Sequence, residues 1–277
     1  MGNPLAESWI YATVMLQNES GGQGTGFLVI RRIGGQSKMF VATNKHILGK
    51  TQEAREAARS LNFFFNVKQH DGTIKGNAVK GVFDDSRNDH PSWREHPARD
   101  VDVLAIDVTT LYRSVSNIAN KYVEYNLFGT KQRLDELDVT IGDDVMVVGY
   151  PLGLRHHQTN FPLLRAGVLA TKIGETLEDE VLDSSGKKRR RVIRGFLIDG
   201  AMIPGSSGSP VVLKPIFGRK VKDSIMGGLP APILLGIVAE AKYAPVQTGQ
   251  GDSWSYAGLG LAFDAETVKE TIELFFQ

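Results

Sequence analysis

The sequence predicts an all-β fold in two strand-rich halves, closed by a C-terminal helix. Three observations carry that reading. Short alternating or β-branched apolar runs recur along the 277 residues. Gly, Asn, Asp and Pro punctuate them, as turns between strands require. Helical periodicity is confined to a few short stretches.

The strand-like runs are Trp9 to Leu16, Gly26 to Ile30, Met39 to Thr43, Leu61 to Val67, Val101 to Val108, Asp144 to Gly149, Gly167 to Lys172, Val192 to Ile198, Ser209 to Leu213, Ile233 to Ala239 and Gly258 to Phe263. So many short strands with turn signals between them indicate a barrel or a sandwich. Thr51 to Ser60, rich in Ala, Glu and Arg, predicts a surface helix. Thr110 to Leu137 predicts one or two helical turns. In Ala265 to Phe276, Val268, Ile272, Leu274 and Phe275 recur near helical spacing and predict a docked C-terminal helix. The turn Asp183-Ser184-Ser185-Gly186 runs into the basic stretch Lys187 to Arg191, which predicts a hairpin with a cationic tip or outgoing strand. The region from Asn120 to Ile141 separates the halves, giving an N-terminal domain over 1–125 and a C-terminal domain over 126–277.

Composition removes several classes of function. Hydrophobic residues make up 42% and charged residues 23%, as in ordinary globular chains. A formal net charge of +1 supplies no global field for nucleic acid or an anionic membrane. The absence of cysteine excludes a disulfide scaffold, a thiol nucleophile and a Cys-ligated zinc site. No cofactor or metal is expected. The N-terminus has no basic start followed by an apolar core, and Ala6 stands where a myristoylation signal wants Ser or Thr. The apolar runs are too short to span a bilayer. The chain therefore reads as cytoplasmic, without a membrane partner.

Three segments carry chemistry. In Pro204-Gly205-Ser206-Ser207-Gly208-Ser209-Pro210, glycines flank a serine, let the backbone bend tightly, and leave amides free to point at one spot. The amides of Gly205 and Ser207 form a candidate oxyanion hole. Read alone, this is also a common Ser/Gly turn. In Phe40 to Leu48, His46 closes an apolar strand, where a single histidine is more often structural. In Asp100 to Val108, a carboxylate enters an apolar strand, which is costly unless it is paired. Asp100 and Asp102 both qualify, two residues apart on one face. Together the segments give the chain order His, Asp, Ser, which distinguishes the chymotrypsin architecture from other serine hydrolases.

The sequence resembles the trypsin-like serine peptidases, and most of all the bacterial DegP-type (HtrA-like) protease domains. Gly24-Thr25-Gly26-Phe27 followed by Thr43-Asn44-Lys45-His46-Ile47 is similar to that family's GTGF and TNxHV segments. Asp102-Val103-Leu104-Ala105-Ile106 is similar to its DLAVL strand, and Ile141-Gly142 through Gly149-Tyr150-Pro151-Leu152-Gly153 to its IGxxV…GxPxG segment. Ile198-Asp199-Gly200-Ala201 through Pro210 is similar to its nucleophile segment, and Gly258 to Phe263 to its closing strand. The resemblance implies two six-stranded antiparallel β-barrels, peptide or protein substrates, and a catalytic triad of His46, Asp102 and Ser207. It also selects Asp102 over Asp100. Asp199, eight residues before Ser207, matches an acid of the family and is expected to be structural.

Ala201 falls at the base of the implied substrate pocket. With no carboxylate there, a small or medium apolar P1 residue is expected rather than Lys or Arg. Met202, Ile203, Val238, Ala239 and Gly258 complete the expected pocket. Ser206 stands where the family has Asp or Asn, and Ser209 where Gly is frequent, which leaves open an inactive module that binds partners. The loops at Lys50 to Ser60, Asp84 to Arg99 and Leu111 to Leu137 exceed the family core, and too few residues follow Phe263 for a PDZ module. A free cytoplasmic protease without a propeptide needs restraint, which leaves room for a regulatory protein partner. Lys187 to Arg191 is the only local argument for nucleic acid. Without an aromatic platform it reads as a solvated face, so nucleic acid is not an expected partner.

Overall fold

The computed structural model describes residues 4–83, 92–182, 188–221, 224–225, 227, 231–248 and 251–277. A first helix, α1 (Pro4–Ala12), leads into strands β1 (Thr13–Asn18), β2 (Gln23–Ile33) and β3 (Gln36–Thr43). The short helices α2 (Lys45–Leu48) and α3 (Gln52–Glu56) follow, then β4 (Ser60–Lys68), β5 (Ile74–Val82), β6 (Ser92–Glu95), β7 (Leu104–Asp107), helix α4 (Thr109–Ser114) and β8 (Val123–Glu124). Helix α5 (Lys131–Glu136) precedes the second half, which contains β9 (Asp144–Gly149), β10 (Leu163–Leu169), β11 (Thr176–Leu182), β12 (Lys188–Asp199) and β13 (Pro210–Leu213). The pair β14 (Lys220–Val221) and β15 (Ser224–Ile225) stands apart. The long strands β16 (Leu234–Thr248) and β17 (Gly251–Asp264) end in α6 (Ala265–Glu273).

The all-β expectation holds, but the strand count differs. The first sheet has 8 strands in the order β5-β4-β1-β2-β3-β7-β6, with β8 joined to β2. That last pair is parallel (Val29 opposite Val123), because the chain lies along β2 as it leaves the first half. The second sheet has 7 strands in the order β10-β9-β13-β16-β17-β12-β11, and a short β10–β12 pairing joins its path into a ring. The seventh strand, β11, extends β12 as a hairpin, with Thr176 opposite Arg194 and Leu182 opposite Lys188. Among the described residues, six strands therefore form the ring of the second half with β11 outside it, and the first sheet carries more than six. β5, β6 and β11 are polar, partly exposed strands without the apolar alternation that marks a half-buried one.

Trp9 to Ala12, read from sequence as strand, is helical. Pro4 opens the helix with the φ its first turn needs. Trp9 is fully buried, with its indole N–H on the carbonyl of Pro232 in the opposite half. A short apolar run does not separate strand from helix by periodicity, and here the tertiary contact decides. The C-terminal helix forms as expected. Asp264 caps it by accepting from the Thr267 amide, and its Val268–Ile272 stripe is buried.

One apolar cluster lies inside the first half (Leu16, Leu28, Val41, Phe63, Ile106) and another inside the second (Val147, Phe196, Ile198, Val211, Leu235). A third joins them, bringing Trp9, Phe27 and Phe40 together with Val148, Ile237, Phe263 and Ile272. The chain crosses between the halves over a few residues. Glu124 still pairs with β2, while Phe128 bridges Leu234. The seam between the halves carries the residues described next. Residues 84–91 of the expected long loop, and the turn from Asp183 to Lys187, lie outside the described residues.

Candidate active site

β3 ends at Thr43, and Asn44 begins the one-turn helix that presents His46. Asp102 lies just before β7, half-buried between the buried Val101 and Val103, and its carboxylate faces the histidine. Its Oδ2 is 2.5 Å from His46 Nδ1, and its Oδ1 accepts from the His46 backbone amide at 3.2 Å. Asn44 Nδ2 donates to the Asp102 carbonyl at 2.6 Å. One carboxylate therefore grips both the ring and the backbone of the histidine. Asp100, the rival acid, turns away and pairs with Arg189 at 3.2 Å. The strand ladder has not yet begun at Asp100, so the shared-face argument does not apply to it.

Lys45 is buried beside this pair, and its Nζ donates to the carbonyls of His96 (2.8 Å) and Ala98 (3.1 Å). That contact ties the loop bearing Asp102 to the helix bearing His46. Burial holds the Lys45 ammonium below the usual lysine value. His96 in turn reaches Glu270 of α6 at 2.9 Å, so the C-terminal helix braces the same loop.

Ser207 arrives from the other half. Its loop spans the ten residues between β12 and β13, and both flanking glycines are forced. Gly205 has φ +89°, and a Cβ there would lie 2.3 Å from the Tyr150 carbonyl oxygen. Gly208 has φ +85°, and a Cβ would lie 1.8 Å from the Thr25 carbonyl oxygen. Thr25 fastens the loop across the seam. Its amide donates to the Ser207 carbonyl (2.9 Å), its hydroxyl donates to the Gly205 carbonyl (2.9 Å), and the same hydroxyl accepts the Tyr150 amide (3.1 Å). Among the described residues, the amides of Gly205 and Ser207 donate to no protein acceptor. Their neighbours do: Ser206 N–H to Ile203, and Gly208 N–H to Val238.

His46, Gly205 and Ser207 line one cleft of about 810 Å³. It runs toward the β1–β2 turn (Asn18 to Gln23) and the small side chains Ala54, Ala57 and Ala58. None of the expected pocket residues Ala201, Met202, Ile203, Val238, Ala239 and Gly258 lines it. Met202 and Val238, at 1% exposure each, pack in the core of the second half. Ala239 does reach the site: its carbonyl accepts the Ser207 hydroxyl at 3.2 Å. The expected contact from Ser207 to His46 is not made in this rotamer. Ala201 is exposed, and its carbonyl accepts from the Arg165 guanidinium. The Gly258 carbonyl accepts the Gly200 amide.

Sequence reading missed Thr25, Lys45, His96 and Arg165. Thr25 and Lys45 lie inside the quoted GTGF and TNKH segments and were legible as motif members without a role. His96 and Arg165 carry no local signal. Three arginines of the basic run are paired: Arg189 with Asp100, Arg190 with Glu178 at 3.0 Å, and Arg191 with Glu240 at 2.8 Å.

Two β-rich halves, with the Ser207 loop and the Asp102-held histidine at their seam, have the fold of the chymotrypsin-like peptidases. Within that class the chain belongs to the trypsin-like peptidase family, whose domain model matches residues 24–214. Its fold is shared by the solved structure of Deg5 (TM-score 0.52, 15% identity, covering 98% of this chain and 92% of that one). It is shared too by the active form of the Rv3671c protease from M. tuberculosis (TM-score 0.51, 14% identity, 98% and 83% covered) and by an inactive form of that protease (TM-score 0.50, 16% identity, 98% and 92% covered). At these identities the likeness is one of fold. No curated protein matches the sequence. Among the described residues, no helix is long and apolar enough to cross a membrane.

Proposed function

We propose that this peptidase is a serine endopeptidase working through His46, Asp102 and Ser207. The observation that carries the reading is the convergence on one cleft of the Ser207 hydroxyl, an imidazole whose Nδ1 is bound by Asp102, and two backbone amides without protein acceptors. Asp102 fixes the ring so that Nε2 faces the cleft as a base. Ser207 leaves the Ala239 carbonyl, turns toward Nε2 and attacks the peptide carbonyl as its proton passes to His46. The Gly205 and Ser207 amides hold the developing oxyanion, each contributing about 3–4 kcal/mol. His46 then protonates the leaving amine, and water hydrolyses the acyl-enzyme by the same steps reversed.

The cleft extends from His46 past α3, on the side of the histidine helix. It suits an extended polypeptide and so supports internal cleavage of peptide or protein substrates. Ala201 supplies no counter-charge for a basic P1 residue, and the Arg165 guanidinium on its carbonyl opposes one. Small or medium apolar P1 residues fit this best. The absence of cysteine suits a reducing compartment such as a cytoplasm.

A second reading, an inactive partner-binding module, draws on the Ser207 rotamer bonded to Ala239. One experiment separates them. A fluorophosphonate probe labels Ser207 in the parent chain and not in Ser207→Ala or His46→Ala if the enzyme reading holds. No labelling of the parent supports the module.

A further inference from the structure

Arg165 enters the site from β10 without a carboxylate partner among the described residues. Its Nη1 donates to the Ala201 carbonyl and its Nη2 to the Ser206 hydroxyl at 2.9 Å, while its Nε is buried with no acceptor. Burial pulls the guanidinium below its ordinary value, and the Tyr256 phenol acts against that shift. Arg165 remains a cation all the same. A half-buried charge without a counter-ion is expensive, and an apolar side chain would cost the strand nothing comparable.

What Arg165 touches explains its place. Ala201 and Ser206 bracket the segment that carries Gly205 and leads directly into Ser207. That segment has no strand partner, because β12 ends at Asp199 and β13 starts at Pro210. Tyr256 pins its start, donating to the Gly200 carbonyl and accepting the Met202 amide at 2.8 Å. Ser206 folds its end back, its hydroxyl also accepting the Ile203 amide at 3.3 Å. The guanidinium bridges the two ends of this segment.

We propose that Arg165 is the positioning residue of the oxyanion loop: its fork clamps Ala201 to Ser206 and so holds the Gly205 and Ser207 amides where an oxyanion is received. The ordering cation is thereby built into β10. This rests on the peptidase reading of the site.

The test uses the full chain with Arg165→Gln, Arg165→Lys and Arg165→Gly, each checked by thermal melting. Arg165→Gln is expected to lower kcat about 10²-fold, the size of losing one oxyanion donor, with KM nearly unchanged. Arg165→Lys keeps the charge and retains more activity than Arg165→Gln. Ethylguanidinium added to Arg165→Gly restores kcat, which a purely structural role would not allow. Hydrogen exchange of amides 201–207 is faster in Arg165→Gln, while the segments around His46 and Asp102 exchange as in the parent. An unchanged kcat, a rise in KM alone, or a parent that cuts after Asp or Glu with that selectivity lost in Arg165→Gln would each overturn the proposal. A parent that labels at Ser207, with an Arg165→Gln variant indistinguishable from it, sinks this inference and leaves the peptidase standing. A parent that neither labels nor hydrolyses sinks the peptidase reading. Exchange at 201–207 then still decides whether Arg165 clamps the loop.

Discussion

Gly205→Ala is a small change at a position with no room for it. The backbone there has φ +89°, which costs an L-residue about 1–2 kcal/mol. The added Cβ would sit 2.3 Å from the Tyr150 carbonyl oxygen and 3.0 Å from the Leu152 amide nitrogen. Tyr150 cannot yield. It is 1% exposed, its amide donates to Thr25, and its hydroxyl lies between the carbonyls of Asn160 (2.5 Å) and Thr13 (3.2 Å). Overpacking of this kind costs about 1–3 kcal/mol more. The strain falls on the softer partner, the loop from Pro204 to Ser206, and moving it carries the Gly205 amide off the oxyanion site. The expected result is a kcat about 10²–10³-fold lower, the effect of losing one donor, with slower fluorophosphonate labelling of Ser207. The His46–Asp102 pair, held in the other half, stays intact. Steady-state hydrolysis of a peptide, read beside a thermal melt, checks it. A variant whose kcat stays within about tenfold of the parent would refute the assignment of this amide.

Three further outcomes follow from the same geometry. Ser207→Ala loses about 10⁴-fold in turnover and keeps its melting temperature; if Ser206→Ala is the dead variant and Ser207→Ala cleaves normally, the nucleophile is the neighbour. A digest of a proteome-derived peptide library shows cuts after Val, Ala or Leu above those after Arg or Lys, and a digest dominated by basic P1 residues contradicts the role given to Ala201. Activity does not depend on a newly exposed N-terminus, because Ser206 offers no charge to pair with a freed ammonium and its hydroxyl already takes Arg165. Chains carrying N-terminal extensions of several lengths therefore hydrolyse the same peptide, and activity confined to one cut product would show otherwise.

The sequence by itself determined the class of fold, the order of the three chemical segments and the residues at their centres. Those signals are local. An apolar strand ending in His46, or a serine between glycines, is written in consecutive residues whose backbone demands are met by their neighbours. Alternation left Asp100 and Asp102 equal, and the clean start of the apolar strand after Asp102 together with the resemblance favoured Asp102; the strand in fact begins at Leu104. The helix at Trp9 and the polar strands β5, β6 and β11 were hidden for a related reason, since their state is fixed by distant partners. What only the tertiary structure decided are contacts across the seam. Thr25 fastening the Ser207 loop is separated from it by 182 residues, Lys45 reaches the loop that carries Asp102, and Arg165 meets Ser206 over a separation of 41. The burial of Met202 and Val238 in the core of the second half is of the same kind. Which face of a strand is core depends on what packs against it, and no run of residues contains that packing.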